Sequence, residues 1–228
     1  MKNYLKHKHA ILLDMNSTFL FNEDRFGAEQ DYSIIYQQLG GKLPKTQVNQ
    51  IIGASFAYLA ERYPHYEQRF PSVPDALRSV TEELADDDIQ LLTDTFAIHE
   101  RGDLSPDYAK ALHQLSHEYR LGAVIDIWAP KYRWLSYFEE HNILHLFEAY
   151  SFSSDHGHVK PSPYGFELVL SAMKLQPHEA VFIGDSIHHD LGGANAAGMD
   201  CILVGDAESE TAVAKFENLL GFCAVALA

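Results

Sequence analysis

Cysteine is scarce in this sequence. Of its 228 residues only Cys201 and Cys223 are cysteines, and they form no CxxC pair or other zinc-binding pattern. Cys201 lies within an apolar run, which is typical of a small buried residue. Because nothing indicates a disulfide scaffold, we expect a protein of the reducing cytoplasm.

Positive charge and long apolar runs are also scarce. The chain has 17 basic and 32 acidic residues, a net charge of -15, which disfavours nonspecific binding to nucleic acid or to an anionic membrane. No apolar run reaches the roughly 20 residues of a membrane-spanning helix. The apolar stretch at 10–14 is shorter than the core of a signal peptide, and we interpret it as a buried strand. We therefore expect a small-molecule partner and neither nucleic acid nor membrane, and we leave the oligomeric state open.

What the chain does contain is a series of short, nearly continuous apolar runs. Such runs are typical of parallel strands buried on both faces, and they lie at residues 10–14, 122–128, 149–153, 180–185 and 201–206. Segments with helical spacing lie between the later runs, at residues 131–141, 162–174 and 190–198. Alternating strands and helices predict right-handed crossovers and a doubly wound, Rossmann-like α/β sheet.

The alternation is interrupted between the first and second predicted strands. Residues 21–100 show helical spacing and no convincing strand, with Gly-Gly and proline punctuation. We predict a helical insert at 21–100 and a core domain made of residues 1–20 and 101–228. The stretch 211–228 predicts a closing helix followed by an apolar tail.

Two predicted strands end in an aspartate, Asp14 and Asp185, and Lys160 stands just before a predicted helix. Ligands of open α/β sheets bind outside the carboxyl ends of the strands. Carboxylates hold Mg²⁺, and a lysine supplies positive charge to phosphate oxygens. These residue types predict a site for a hard cation and a phosphate.

Three motifs in this order resemble those of the haloacid dehalogenase-like (HAD) hydrolase superfamily. DMNST stands where that family has DxDx(T/V), VKPSP resembles its lysine motif, and IGDSIHHDLGGANAAGM resembles its GDxxxD…GA…AGM motif. The resemblance runs from about residue 9 to 205, and the insert at 21–100 stands where the family's helical C1 cap is found. It implies a capped, phosphatase-like member with a degenerate first motif.

The resemblance also implies a mechanism. Asp14 would attack phosphorus to give an aspartyl-phosphate, which water would hydrolyse. Mg²⁺ would be held by Asp14, by the backbone carbonyl of Asn16 and by Asp185. Lys160 would steady Asp14 and the phosphoryl charge.

Other residues would support this site. The Thr18 hydroxyl would hold the loop that binds phosphate, and Ser186 would complete loop hydrogen bonds. Asp190 would orient Lys160, or alternatively cap the helix that begins at Leu191.

Two positions depart from the family pattern. Asn16 replaces the aspartate that carries protons, and an amide cannot exchange a proton at neutral pH. Loss of a general acid–base costs roughly 10²–10⁴-fold in rate. The second motif should end in Ser or Thr, but Ile125 or Asp126 stands there, depending on register. Ile125 would offer no donor, whereas Asp126 would repel phosphate unless paired, yet it could replace the missing acid–base.

A histidine could also carry protons, because His188 and His189 follow Asp185 closely.

Three functions are compatible with these residues. The first is a Mg²⁺-dependent phosphoric monoester hydrolase that acts on a small phosphorylated metabolite and favours good leaving groups. The second is a catalytically lapsed phosphate- and metal-binding or regulatory protein. The third is a haloacid dehalogenase, which also lacks the second aspartate but needs no Mg²⁺.

Overall fold

The computed structural model describes residues 1–81 and 84–228. Within them, six parallel strands form one sheet in the order β3-β2-β1-β4-β5-β6. The strands are β1 (Ala10–Leu13), β2 (Arg120–Ile125), β3 (Phe147–Phe152), β4 (Ala180–Gly184), β5 (Asp200–Val204) and β6 (Ala214–Phe216). This is a doubly wound parallel sheet, so the predicted fold class is confirmed.

Helices lie before, between and after these strands. The α-helices are α1 (Lys2–Leu5), α2 (Tyr32–Gln38), α3 (Lys45–Arg62), α4 (Val73–Val80), α5 (Asp86–Glu100), α6 (Pro106–Glu118), α7 (Tyr132–Glu140), α8 (Ser153–His156), α9 (Tyr164–Met173), α10 (Gly192–Ala196) and α11 (Leu219–Ala226). Residues Ile187–Leu191 form one turn of π-helix just before α10. No helix among the described residues combines the length and the apolar character needed to cross a membrane.

The central strand β1 is apolar at every position because both faces of the sheet are covered. Ile11 and Leu13 belong to one apolar cluster, while Ala10 and Leu12 belong to a second cluster that includes residues of α9 and α10. Side chains of a strand alternate between faces, so both clusters need apolar residues here. All four side chains are fully buried.

Helices α2 to α5 form the predicted helical insert between β1 and β2. The chain leaves and re-enters the core at one place, where Phe21 and Asp103 exchange backbone hydrogen bonds of 3.0 and 2.7 Å. Within this insert α4 ends at Val80 and α5 begins at Asp86, and Glu82 and Glu83 between them lie outside the described part of the chain. The domain bounds at 20/21 and 100/101 stay a prediction.

The prediction for the C-terminal stretch was wrong in its order of elements. Residues Ala214–Phe216 pair with β5 as a short edge strand, and the helix begins only after Asn218, whose side chain accepts a hydrogen bond from Gly221 N at 2.9 Å. An amide at this position satisfies a free backbone N–H at the start of a helix. The apolar tail is therefore α11, which buries Leu219, Phe222 and Cys223.

Candidate active site

Strand order brings Asp14 and Asp185 together. The chain runs from β1 to β2 and β3 on one side, and then returns to β4 on the other side of β1. Leu13 pairs with Ile183, and the Asp14 backbone N–H donates to the Ile183 carbonyl at 2.9 Å. Ligands of open α/β sheets bind at such a reversal of strand order.

A buried lysine links two buried carboxylates at this edge. Lys160 is 5% exposed, and its Nζ donates to Asp14 Oδ1 and, at 2.7 Å, to Asp190 Oδ1. Asp14 is 6% and Asp190 1% exposed. The Thr18 hydroxyl donates to the second oxygen of Asp14 at 3.3 Å. Asp14 is thus held from two sides, which fixes the direction of its oxygens.

Burial and crowding set the charges of these groups. Burial raises the pKa of Asp14, the Lys160 ammonium opposes that effect, and Asp190 and Asp185 reinforce it. Burial, with the nearby Asp190 carboxylate, raises the pKa of Asp185 to about 6. Burial by itself would lower the pKa of Lys160, but the surrounding carboxylates hold it well above its usual value. This crowding of negative charge is of the kind that a cation relieves.

The oxygen donors fit a hard divalent cation. Asp14, Asp185 and Asp190 offer carboxylate oxygens that all lie within 4.8 Å of one another. Both oxygens of Asp190 already accept hydrogen bonds, from Lys160 Nζ and from Ser186 N at 2.9 Å. Both oxygens of Asp14 also accept hydrogen bonds, the one from Thr18 being long at 3.3 Å, whereas the Asp185 carboxylate accepts none from a side chain of the described residues. Asp185 and the loosely held Asp14 oxygen are therefore the best available ligands, and Mg²⁺ is commonly held by one or two carboxylates.

The turn after β4 places Asp190 behind Lys160. Ser186 Oγ accepts a hydrogen bond from His189 N at 3.1 Å and thereby caps the π-helical turn. Asp190 lies inside this turn and does not cap a helix, so the alternative capping role is wrong. Gly184 makes room for it, because a Cβ at that position would collide with the Asp190 carboxylate.

Of the two residues that could end the second motif, Asp126 reaches the pocket and Ile125 does not. Ile125 is buried in the core, whereas Asp126 lines the pocket. Asp126 Oδ2 accepts from the Lys160 backbone N–H at 2.9 Å and from the Tyr63 hydroxyl at 3.3 Å. Burial raises the pKa of Asp126 to about 6, although the Lys160 ammonium opposes this shift.

Asn16 also lines the pocket. Its Oδ1 is buried and has no hydrogen-bond partner among residues 1–81 and 84–228. A buried acceptor without a partner is costly, so it is suited to a donor that arrives with a ligand. The residue therefore offers a hydrogen bond where the family motif has a carboxylate.

The pocket also includes residues that the sequence did not reveal. It has a volume of about 270 Å³ and is lined by Asp14, Asn16, Ser17, Asp24, Tyr63, Asp126, Lys160, Asp185, Ser186, His189 and Asp190. Tyr63 comes from the end of α3 and Asp24 from the segment that leads into the insert. No motif marks either residue, because only the packing of the insert over the sheet brings them here.

Comparison with known proteins agrees with this geometry. The haloacid dehalogenase-like hydrolase family model matches residues 8–198. The chain is 31% identical over 181 residues to pyrophosphatase PpaX of Bacillus pumilus, covering 75% of this chain and 82% of that protein. It is 52% identical over 40 residues to the phospholysine phosphohistidine inorganic pyrophosphate phosphatase of Danio rerio, which covers 18% of this chain and only 15% of that protein.

Solved structures show the same fold. A HAD phosphatase from Thermococcus onnurineus has a TM-score of 0.63 and 22% identity, covering 95% of this chain and 96% of that one. Dehalogenases are also among the similar structures, at 21% identity or less. With its motifs in order at one edge of the sheet, the chain belongs to the haloacid dehalogenase-like hydrolase family.

Proposed function

We propose that this protein is a magnesium-dependent phosphatase that forms an aspartyl-phosphate on Asp14. The observation that carries the proposal is the buried contact of Asp14 with Lys160 and Thr18, beside the free oxygens of Asp185. A nucleophilic carboxylate, an ammonium group and a place for a divalent cation are the parts that phosphoryl transfer needs. The two free cysteines support a cytoplasmic location.

Each residue has a separate task in this mechanism. Asp14 directs one oxygen at phosphorus, while Lys160 and Thr18 hold the carboxylate in position. Asp14, the Asn16 carbonyl and Asp185 would hold Mg²⁺, which when bound supplies positive charge to the phosphate oxygens. Lys160 also offsets the charge that develops on phosphate, and Asp190 with Ser186 keeps the ammonium in place.

The amide at position 16 determines which substrates suit the enzyme. A leaving group that departs without protonation does not depend on the missing carboxylic acid. Inorganic pyrophosphate and acyl phosphates have such leaving groups, and two relatives carry pyrophosphatase activity in their names. We therefore propose a small phosphorylated substrate with a good leaving group, within a pocket of about 270 Å³.

Phosphate release from a panel of such substrates, with and without Mg²⁺, tests this proposal. We expect turnover by the wild type and a loss of about 10³-fold or more in Asp14→Asn, which removes the nucleophile. Asn16→Asp should raise turnover of alkyl phosphates, whose leaving oxygen needs a proton, more than turnover of pyrophosphate or acyl phosphates. An Asp14→Asn variant as active as the wild type would refute the proposal.

A second candidate is a lapsed homologue that binds phosphate and metal without turnover, and the amide of Asn16 favours it. It would bind Mg²⁺ and phosphate in calorimetry while releasing no phosphate, and Asn16→Asp would restore activity. A dehalogenase ranks last, because the carboxylates beside Asp14 suit a cation that dehalogenation does not use. Halide release without metal would favour it.

A further inference from the structure

We propose that His189 carries the protons that Asn16 cannot, as general acid for the leaving group and then as general base for water. The inference rests on the proposed phosphatase function and names a catalytic residue outside the family's motif set. Three observations carry it: the fixed ring of His189, its position in the pocket, and the hydrogen bonds that already occupy the rival Asp126.

The tautomer of His189 follows from one contact. His189 Nδ1 lies 2.8 Å from the Lys160 carbonyl oxygen, which can only accept a hydrogen bond. Nδ1 therefore carries a hydrogen, and in the neutral ring Nε2 has the free lone pair. Within the described part of the chain, Nε2 makes no hydrogen bond, so it remains available to a ligand.

The ring also stands on the appropriate side of the pocket. Asp14 lies buried at the end of β1, so in-line attack drives the leaving group away from the sheet, towards the helical insert. Tyr63 of the insert lines that side, and its ring centroid lies 5.1 Å from that of His189. His189 thus meets the leaving group, or the water that later replaces it.

Asp126 is less suited to this task. Its Oδ2 accepts from the Lys160 backbone N–H and from the Tyr63 hydroxyl, and both bonds stabilise the ionised carboxylate. These contacts fix the direction of the carboxylate beside the Lys160 backbone and the Tyr63 hydroxyl. It is better placed to orient Tyr63 and the lysine loop than to exchange protons.

The chemical steps balance with one proton. His189 enters the first step as the imidazolium, with a hydrogen on each ring nitrogen. Asp14 bonds to phosphorus, the bond to the leaving oxygen breaks, and that oxygen takes its electron pair and the Nε2 proton of His189. Neutral Nε2 then removes a proton from water as the water oxygen attacks phosphorus, which releases phosphate and the Asp14 carboxylate. The hydrogen on Nδ1 stays bound to that nitrogen and donated to the Lys160 carbonyl throughout.

Several charged or titratable groups face this ring. Tyr63 packs on it from α3, and His188 lies 4.9 Å away between ring centroids. Asp126, Asp185 and Asp190 share the pocket with the Lys160 ammonium. Because all of these groups contribute to the pH profile of activity, the test uses a substitution that changes His189 alone.

His189→Asn isolates it, because the asparagine amide can still donate to the Lys160 carbonyl but has no atom in place of Nε2. In the presence of Mg²⁺, we expect kcat/KM for an alkyl phosphate to fall by roughly 10²–10⁴-fold. The kcat/KM for acetyl phosphate should fall less than about tenfold, since its leaving group needs no acid and the later attack of water does not enter this ratio. Imidazole in solution should restore part of the loss in His189→Ala.

His188→Asn is the matched control, since His188 is exposed and does not line the pocket. It should behave as the wild type. Equal losses of kcat/KM for both substrates in His189→Asn, or no rescue by imidazole, would overturn the inference while the phosphatase function stands. The same holds if Asp126→Asn, and not His189→Asn, shows the selective loss. No turnover by the wild type would overturn the proposed function and this inference together.

Discussion

At the scale of single residues, the site depends on a lysine held by a carboxylate that lies against a glycine. Lys160 Nζ binds Asp190 Oδ1, and Asp190 occupies the volume that a Cβ at Gly184 would fill. Asp190 is 1% exposed and holds Lys160 against Asp14. The position of Asp14 therefore depends on Asp190, which acts on it through Lys160.

We accordingly expect Gly184→Ala to displace Asp190 and to lower turnover by about 10–100-fold, because small shifts of reacting groups have large effects on rate. Kinetics of phosphate release, with circular dichroism to check folding, would measure the effect. The matched control is Gly53→Ala in the middle of α3, where an added Cβ meets no atom within 4 Å. That variant should keep its activity and gain up to about 1 kcal/mol of stability from helix propensity. Equal activities in the two variants would contradict this account of Gly184.

Some residues of the site can be predicted from the sequence and others cannot. Asp14 and Asp185 could be predicted because each directly follows an apolar strand, and parallel strands end at one edge of the sheet. Tyr63 could not, since it reaches the pocket only through the packing of α3. The register of Ile125 and Asp126 also stayed open, because a shift of one residue exchanges the two faces of a strand.

At the scale of elements, one glutamate joins the helical insert to the loop after β2. Glu100 ends α5 and is buried, and its two oxygens accept from Trp128 N at 2.5 Å and Ala129 N at 2.9 Å. The Trp128 ring lies 5.5 and 5.6 Å from the rings of Phe70 and Tyr63. The loop that carries Asp126 is thus attached to the insert by polar and by aromatic contacts.

We expect Glu100→Gln to lower the free energy of unfolding by about 1–3 kcal/mol, because an amide has one acceptor for two backbone donors and leaves one of them unpaired. Urea unfolding would measure the loss. Glu61→Gln on α3 is the matched control: its carboxylate is 79% exposed and should contribute less than about 0.5 kcal/mol. A loss in Glu61→Gln as large as that in Glu100→Gln would show that burial of the acceptor does not matter.

Elements differ in how well their sequence identifies them. β1 and β4 were predicted because burial on both faces requires an unbroken apolar run. The edge strand β6 was missed, since two half-buried residues and one exposed residue carry no periodic signal and pairing with β5 decides their conformation.

At the scale of the whole molecule, charge connects the site to stability. The chain carries a net charge of -15, and three carboxylates, two of them buried, lie together where the core strands end. The pKa of Asp185 is raised from 3.8 to about 6, so its ionisation destabilises the metal-free fold as pH rises through that window. A cation bound beside Asp185 would reverse this loss.

Magnesium should therefore stabilise the folded protein above pH 6 and have less effect near pH 4. At about 100 times its dissociation constant, the expected gain is about 2.7 kcal/mol, or roughly 5–10 °C in melting temperature for a chain of this size. Thermal unfolding with and without Mg²⁺ measures it without any substrate. Asp185→Asn should remove the gain, because an amide is a weaker ligand for a hard cation.

The control for this experiment is a second aspartate in the same local sequence. Asp206 follows Gly205 at the end of β5 as Asp185 follows Gly184 at the end of β4, but it is exposed and lies outside the carboxylate group. Asp206→Asn should keep the full magnesium effect. If both variants lost it equally, the ion would be acting on overall charge, whereas a loss confined to Asp185→Asn would locate the ion where β1 and β4 end together.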